Sequence, residues 1–231
     1  MTGLRNRALA LAAVIGLGGL AACGSDTNQT ENTRMAGESL KQIFSVFKRD
    51  KTVAAAPDAE AMARSALELN KGPLILLSQE TPKNVTILGM IGENGTMRTY
   101  ATPSMQSVIL RGGMLAGTRG LGFDMMSAEV EQTGRLIRAR TPGTGKKVIR
   151  YLDGLGLERP IPLDCTVSVG ADTSYPFAGK TWSGRQVVEH CEGLGMKMDD
   201  TFIVSSAGQI VASRQWISPQ LGYVTIQTVR P

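Results

Sequence analysis

The sequence predicts a mainly β protein, with a curved antiparallel sheet or half-barrel and one or two N-terminal helices. Short runs rich in Val, Ile, Leu and Thr recur from Pro73 onward, separated by Gly, Pro and Asn, as in sheets built from hairpins. Strands do not alternate with helical patterns, which argues against a parallel α/β fold. The predicted strands are residues 74–77, 85–91, 96–101, 107–111, 113–118, 136–141, 147–152, 166–169, 187–191, 201–205, 210–217 and 223–229.

Turn-forming residues connect these strands. The Asn-Gly pair at 94–95 is the strongest two-residue hairpin signal, and the Ala-Gly pair at 207–208 predicts another turn. The Pro-Gly-Thr-Gly run at 142–145 predicts a hairpin between strands 136–141 and 147–152. Many short antiparallel strands joined in this way predict a sheet that curls or closes.

Two helices are predicted before the strands. Residues 38–49 carry apolar side chains at positions i, i+3, i+4 and i+7, the spacing of an amphipathic helix. This helix either lies on a membrane or covers the domain's own sheet, and we prefer the second interpretation. A second helix is predicted from residues 57–58 through Leu69, ended by Gly72 and Pro73. The apolar stripe of the first helix consists of Leu40, Ile43, Phe44 and Phe47.

Residues 1–22 have the parts of an export signal. A short start carries Arg5 and Arg7, residues 8–20 are apolar or glycine, and two alanines precede Cys23. The apolar run is shorter than the roughly 20 residues of a membrane-spanning helix. Small residues before a cysteine resemble a lipobox, so we predict cleavage before Cys23 and lipid attachment to its thiol. An ordinary signal peptide with a chance cysteine is the alternative.

The predicted mature chain is an exported, lipid-anchored protein. Residues 23–37 form a lipidated flexible tether, and residues 38–231 form a single β-rich periplasmic domain with N-terminal helices. Gly24 and Ser25 differ from the aspartate that commonly retains lipoproteins in the inner membrane. We therefore predict anchoring in the outer membrane, on its periplasmic face.

The net charge argues against one class of partner, and the cysteine content predicts a disulfide. Removing the signal lowers the formal net charge from +5 to +3, too small an excess to predict nucleic-acid binding. Cys165 and Cys191 are the cysteines that remain besides Cys23, and an oxidising compartment predicts a disulfide between them. A metal or thiol site beside His190, the single histidine, is the alternative. We expect no metal and no cofactor.

Motifs for catalysis are weak. Residues 143–146, Gly-Thr-Gly-Lys, faintly resemble a phosphate loop, but Lys147 replaces the required Ser or Thr. The segment is predicted to join two strands as a hairpin turn. The carboxylates Asp199 and Asp200 are adjacent at what is interpreted as a turn without a pocket. No catalytic residue is therefore assigned, and the protein is predicted not to be an enzyme.

Several sequence blocks are distinctive, namely residues 113–127, 151–154, 165–167, 189–191 and 211–223. Together they resemble the YjbF family, also called group 4 capsule polysaccharide lipoproteins. The resemblance runs from the lipobox to the C-terminus and is loose over residues 28–70. It implies a β-rich lipoprotein whose operon serves secretion of capsule or exopolysaccharide, and it carries over no catalytic residue.

Five residues in these blocks are candidates for binding polysaccharide or a partner: Arg119, Asp124, Arg214, Trp216 and Tyr223. Aromatic faces stack on sugar rings, while Arg and Asp bind hydroxyl or acidic groups. The competing interpretation is an internal Arg–Asp network, because buried charges must be paired whatever the function. We expect bracing for Arg119 and a surface role for Trp216.

The predicted function is that of a non-enzymatic accessory of capsule or exopolysaccharide production and export. Its expected partners are the membrane, through the lipid on Cys23, and polysaccharide or other export components, with no nucleic acid. A lipid or acyl-chain carrier is one alternative, and an apolar, water-poor concavity would favour it. A periplasmic glycan-active enzyme is another, and two carboxylates about 5–9 Å apart in a cleft would favour that.

Overall fold

The computed structural model of the protein describes residues 58–231. The predicted signal peptide, Cys23, the tether at 23–37 and the helix at 38–49 lie outside the described residues. Within residues 58–231 the predicted mainly β fold is confirmed, as one antiparallel sheet of twelve strands accompanied by two helices. In chain order the elements are α1 (Ala59–Leu69), β1 (Leu74–Gln79), β2 (Asn84–Asn94), β3 (Met97–Ala101), β4 (Ser107–Arg111), β5 (Met114–Arg119), β6 (Ser127–Glu129), α2 (Glu131–Ala139), β7 (Gly143–Leu152), β8 (Glu158–Phe177), β9 (Lys180–Gly193), β10 (Met196–Val204), β11 (Ile210–Ser218) and β12 (Gly222–Arg230).

The sheet is nearly closed and barrel-like. Its strand order is β5-β4-β3-β2-β1-β12-β11-β10-β9-β8-β7-β6, so the first strand pairs with the last. Leu74 lies opposite Arg230, and Gln79 lies opposite Val224. The edges β5 and β6 approach each other where the backbone amide of Thr118 donates to the carbonyl of Met125 at 2.9 Å. A curled sheet of this kind protects its edge strands from pairing with other chains.

The two ends of the sheet differ in the turns they carry. We call the upper rim the end with the turns at residues 95–96, 112–113 and 205–209. The lower rim is the end with the turns at residues 102–106 and 219–221. At residues 112–113 two glycines with φ of +56° and +89° form a turn, and residues that carry a Cβ rarely adopt such positive φ values.

Helix α1 matches the second predicted helix. The Asp58 side chain accepts hydrogen bonds from the backbone amides of Glu60 and Ala61, which caps the free amides of the first turn. Ala63 is fully buried where the helix packs against the sheet. Among the described residues, neither helix has the length and apolar character that crossing a membrane requires.

Strand β1 is buried on both faces and separates two cores. Ile75 and Leu77 face a main core inside the curved sheet. Leu74 and Leu76 point to the opposite face, into a second core shared with α1 and Phe177 at the tip of the β8–β9 hairpin. The period-two alternation of a strand explains why neighbouring leucines serve different cores.

Helix α2 replaces the strand predicted at 136–141, so that prediction is wrong. Val130, Thr133, Gly134 and Ile137 are buried at the i, i+3, i+4, i+7 spacing of a helix. Two of these four residues are Thr and Gly, so the buried face of the helix does not form a continuous hydrophobic pattern in the sequence. The helix ends at Arg140, whose φ of +54° is left-handed.

Residues 143–146 are the first residues of β7, so the predicted hairpin turn there is also wrong. They follow a helix and pair with β8, with Gly143 opposite Val167. An added Cβ at Gly145 would lie 3.0 Å from Thr133 Cγ2, so glycine allows α2 to pack closely on the strand. The segment still lacks the strand–loop–helix geometry of a phosphate loop.

Strands β8 and β9 form a hairpin much longer than predicted. Only residues 166–169 and 187–191 were predicted, because the outer faces of both strands are polar. A bulge between Val169 and Asp172 interrupts the register and lets the hairpin bend, as bulges do. Its tip thereby reaches the second core.

Candidate functional site

The predicted disulfide is present, and its two cysteines belong to the main core. Cys165 and Cys191 lie directly opposite each other on β8 and β9, with their Cα atoms 4.1 Å apart, and both are buried. A carboxylate oxygen of Glu189 lies within 4.8 Å of both sulfur atoms. A thiolate is the species that ligates metals, and both sulfurs are bonded to each other. This geometry therefore offers no thiol site beside His190.

Three charged side chains meet inside the main core. The ammonium Nζ of Lys147 donates to Glu189 Oε2 at 2.9 Å and to Asp200 Oδ2 at 2.8 Å. Lys147 is 3% exposed, Glu189 0% and Asp200 1%. A buried charge is tolerated only when it is paired, and here one cation serves two carboxylates. We call Lys147, Glu189 and Asp200 the inner triad.

The inner triad perturbs the protonation of its members. Burial raises the pKa of Asp200 to about 6, and the charge of Glu189 adds to this, while Lys147 opposes it. Burial lowers the pKa of Lys147, but the two carboxylates outweigh that effect and raise it above its ordinary value. The lysine therefore stays charged, and Asp200 is protonated more readily than an ordinary aspartate.

The inner triad is connected to Trp216. The backbone amide of Trp216 donates to Asp200 Oδ1 at 2.7 Å. Its ring is half-buried against the main core and meets the Tyr151 ring edge to face, with centroids 6.2 Å apart. The Tyr151 hydroxyl donates to the carbonyl of Ile217, and burial raises the pKa of this hydroxyl. Trp216 is thus partly a core residue, with only part of its ring open to a ligand.

Arg214 is buried in a second polar group toward the lower rim. Its guanidinium donates to both carboxylate oxygens of Glu80, at 2.6 and 2.9 Å, and lies 3.6 Å from the centroid of the Tyr223 ring. Arg214 is 2% exposed, whereas the Glu80 side chain is 38% exposed. Such a forked, stacked arrangement holds a guanidinium rigidly and leaves little of it for a ligand.

Tyr223 extends this group toward His190. Its hydroxyl accepts a hydrogen bond from the backbone amide of Asp199 at 3.0 Å, and His190 Nδ1 lies 2.6 Å from Asp199 Oδ1. Burial, assisted by the charge of Asp200, raises the pKa of Tyr223 to about 12. Asp199 and Asp200 are in strand β10, so their predicted place at a turn is wrong. They point to opposite faces of the sheet.

Arg119 and Asp124 belong to a different place, the loop between β5 and β6. Asp124 accepts hydrogen bonds from the backbone amides of Gly120 and Leu121 at 2.8 and 3.1 Å and from the Thr118 hydroxyl at 2.8 Å. Arg119 donates to backbone carbonyls at residues 118, 125 and 126. Each braces the loop separately. The structure thus brings together Arg214, Trp216 and Tyr223 but not the other two candidates.

A cavity of about 320 Å³ opens at the upper rim. Its wall combines apolar and polar side chains from strands on both sides of the opening. Below it, bulky residues such as Phe202, Met114 and Ile149 fill the main core. The wall includes Glu93, Arg98, Tyr100, Gly112, Arg138 and Trp182.

The family model described as "Group 4 capsule polysaccharide lipoprotein gfcB, YjbF" matches residues 37–229, which is more than half of the chain. The chain belongs to the YjbF family. The resemblance found in the sequence blocks is therefore confirmed, and the protein is a member of a family of capsule-related lipoproteins.

The fold of this YjbF-family chain is similar to a solved structure. That structure is the hypothetical lipoprotein YmcC from Escherichia coli (K12), with a TM-score of 0.63 and 14% sequence identity. The alignment covers 78% of this chain and 98% of that chain. At such low identity the likeness supports the fold alone. A comparison with curated protein sequences gives no match.

Sequence reasoning missed the inner triad of this YjbF domain, although a signal for part of it was present. In the predicted strand 187–191, Glu189 lies between Val187 and Cys191 at a period of two, which places it on their buried face. Lys147 shares a face with Ile149 in the same way. The pairing of Glu80 with Arg214 could not be predicted from the sequence, because Glu80 follows β1 and the fold alone brings it close to Arg214.

Proposed function

We propose that this protein is a membrane-anchored, non-enzymatic accessory of capsule or exopolysaccharide production and export. The observation that carries the proposal is the YjbF family match over residues 37–229, which spans the whole described domain except its last two residues. The proposed partners are polysaccharide or other components of the export machinery, together with the membrane.

The proposed anchor is a lipid on Cys23. The residues before it have the order of a lipoprotein signal, and the family is a lipoprotein family. Two or three acyl chains hold a protein on a bilayer far more firmly than one chain, at about 0.8 kcal/mol per buried methylene. We place the anchor in the outer membrane and the domain in the periplasm, from Gly24 and Ser25.

The carboxylates of the candidate site favour a non-enzymatic role. A glycosidase needs two carboxyl groups that reach the scissile bond from a cleft. Glu189 and Asp200 are at most 1% exposed and bound to Lys147, so a sugar chain does not reach them. Glu80 is engaged by Arg214, and Asp199 lies against His190.

The filled interior argues against an acyl-chain carrier. A carrier needs an apolar, water-poor hollow long enough for a hydrocarbon chain. Within residues 58–231, the main core holds large side chains and α2, and it also buries the charged inner triad. The cavity at the upper rim carries charged residues in its wall.

Gene deletion with complementation tests the proposal. Loss of the gene should reduce secreted polysaccharide, and the wild-type gene should restore it. Cys23→Ser should abolish labelling by a palmitate analogue, leave unprocessed precursor and fail to restore export fully. Unchanged secreted polysaccharide in the deletion strain would contradict the accessory role, whereas equal palmitate labelling of the mutant would contradict only the anchor.

A further inference from the structure

Arg138 is an unpaired cation in the wall of the upper-rim cavity. It lies in the last turn of α2 and is half-buried. Among the described residues, no hydrogen bond or ion pair engages its guanidinium. By contrast, Arg214 and Lys147 are each bound to carboxylates. A half-buried guanidinium with free donors is costly unless a ligand or water completes its hydrogen bonds.

Glycines make the room in which Arg138 lies. An added Cβ at Gly112 would be 2.5 Å from Arg138 Nη1, and one at Gly134 would be 3.1 Å from the same atom. A Cβ at Gly208 would be 3.0 Å from the Arg138 carbonyl oxygen. Gly112 and Gly134 therefore leave space for the Arg138 guanidinium at the cavity wall, and Gly208 lets its turn approach the backbone of the same residue.

The rest of the cavity wall suits a sugar ring. Arg98 Nε donates to Glu93 Oε1 at 2.8 Å, so this pair is internally neutral and Arg138 is the charged side chain of the wall that has no side-chain partner among the described residues. Trp182, which is half-buried, brings aromatic surface to the same wall, whereas Tyr100 lines it but is only 4% exposed. A volume of about 320 Å³ is at the lower end of the range of roughly 300–1,000 Å³ for small-ligand pockets.

We propose that this cavity binds a carboxylate-bearing sugar residue of an acidic polysaccharide, with the Arg138 guanidinium holding the carboxylate. The planar fork of arginine matches a carboxylate through two parallel hydrogen bonds. Aromatic surface and polar neighbours then contact the ring and its hydroxyls. This proposal rests on the proposed function in polysaccharide export and names the chemical class that the domain recognises.

Calorimetric titration of the mature protein with trigalacturonate tests this site. Arg138→Gln should weaken binding at least tenfold. Arg135→Gln removes an exposed charge from the same helix and should leave the affinity within twofold. Maltotriose, which has no carboxylate, should bind at least tenfold more weakly than trigalacturonate, and so should inorganic phosphate. Absence of trigalacturonate binding, or equal binding by the Arg138 variant, would overturn the proposal.

A second variant keeps the arginine but disturbs its place. Gly112→Ala puts a Cβ against Arg138 Nη1, so it should weaken trigalacturonate binding severalfold. Gly156→Ala imposes a similar left-handed strain, with φ of +75° against +56°, where a Cβ meets nothing within 4 Å. It should bind as the wild type does. Equal losses in both glycine variants would assign the effect to backbone strain and refute the arginine's role.

Complementation separates this inference from the proposed function. If the wild-type gene restores secreted polysaccharide and Arg138→Gln restores it equally, the acidic-sugar site is wrong while the accessory role stands. If deletion itself leaves secretion unchanged, the accessory role is wrong, and the titration alone then decides the site.

Discussion

Replacing Lys147 by Met removes the one cation of the inner triad. The side chains are similar in length, so the main change is that Glu189 and Asp200, both at most 1% exposed, lose their counter-charge. Holding one buried carboxyl protonated at pH 7, against an ordinary pKa of about 4, costs about 4 kcal/mol. This agrees with the roughly 3–5 kcal/mol lost when one partner of a buried pair is removed.

The pH dependence of the loss identifies its cause. Burial already raises the pKa of Asp200 to about 6 in the wild type. Without Lys147 the pKa of Asp200 rises further in the folded state, so folding takes up a proton that the unfolded chain releases above about pH 4. The contribution of this carboxyl group to the stability of the variant is therefore greatest below pH 4 and is lost as the pH rises. We expect the destabilisation to shrink to about 1 kcal/mol at pH 4.

Urea titrations at pH 4 and pH 7 measure this effect on the chain starting at Gly24. The control is Lys146→Met, because Lys146 is the neighbouring residue on the same strand and pairs with Asp164 in solvent, both side chains being more than 70% exposed. That variant should change stability by less than about 1 kcal/mol at either pH. A Lys147→Met loss that is equal at both pH values would refute the charge argument.

Three further predictions concern the surroundings of the inner triad. Glu80→Ala should cost about 3 kcal/mol, because it leaves Arg214 as a buried unpaired cation; urea titration measures it. Replacing Cys165 and Cys191 by Ala together should cost up to about 3.5 kcal/mol, the chain-entropy value for their separation of 26 residues. Trp216→Ala should cost about 2 kcal/mol, roughly half the loss for a fully buried aromatic residue, and thermal melts measure it.

Each of these predictions has a contrary outcome. Asp172→Ala breaks an exposed pair with Arg185, so a loss as large as that of Glu80→Ala would show that burial of Arg214 does not decide the cost. Two titratable thiols in the denatured, non-reduced protein would contradict the disulfide between Cys165 and Cys191. A melting temperature unaffected by Trp216→Ala would instead support the surface role that the sequence predicts for this residue.

The sheet could be predicted from sequence because its signals are local. An Asn-Gly turn, the Gly-Gly pair at 112–113 and period-two apolar runs each act within a hairpin, and most of the predicted strands lie inside observed ones. Helix α2 could not, because its buried face includes Thr133 and Gly134, which carry no hydrophobic signal. The buried face of α2 is defined by the residues that pack against it and not by a hydrophobic pattern in its own sequence.

The candidate site was harder to predict, because it depends on contacts between distant segments. Glu80 and Arg214 are 134 residues apart in the chain, and β1 meets β11 only through β12. Arg138 resembles any other helical arginine until the fold places Gly112 against it. The five candidates chosen from the sequence blocks include the bracing residues but not this cation.

The pairing of β1 with β12 has a consequence for how the protein reaches its folded form. If the chain is exported N-terminus first, as the proposed function requires, β1 crosses the membrane before β12, so this strand pair cannot form until the residues of β12 have crossed. Contacts between segments this far apart in sequence make folding slow. The complete sheet therefore remains unformed until β12 has crossed, although hairpins such as those of β2 to β5 do not need that strand.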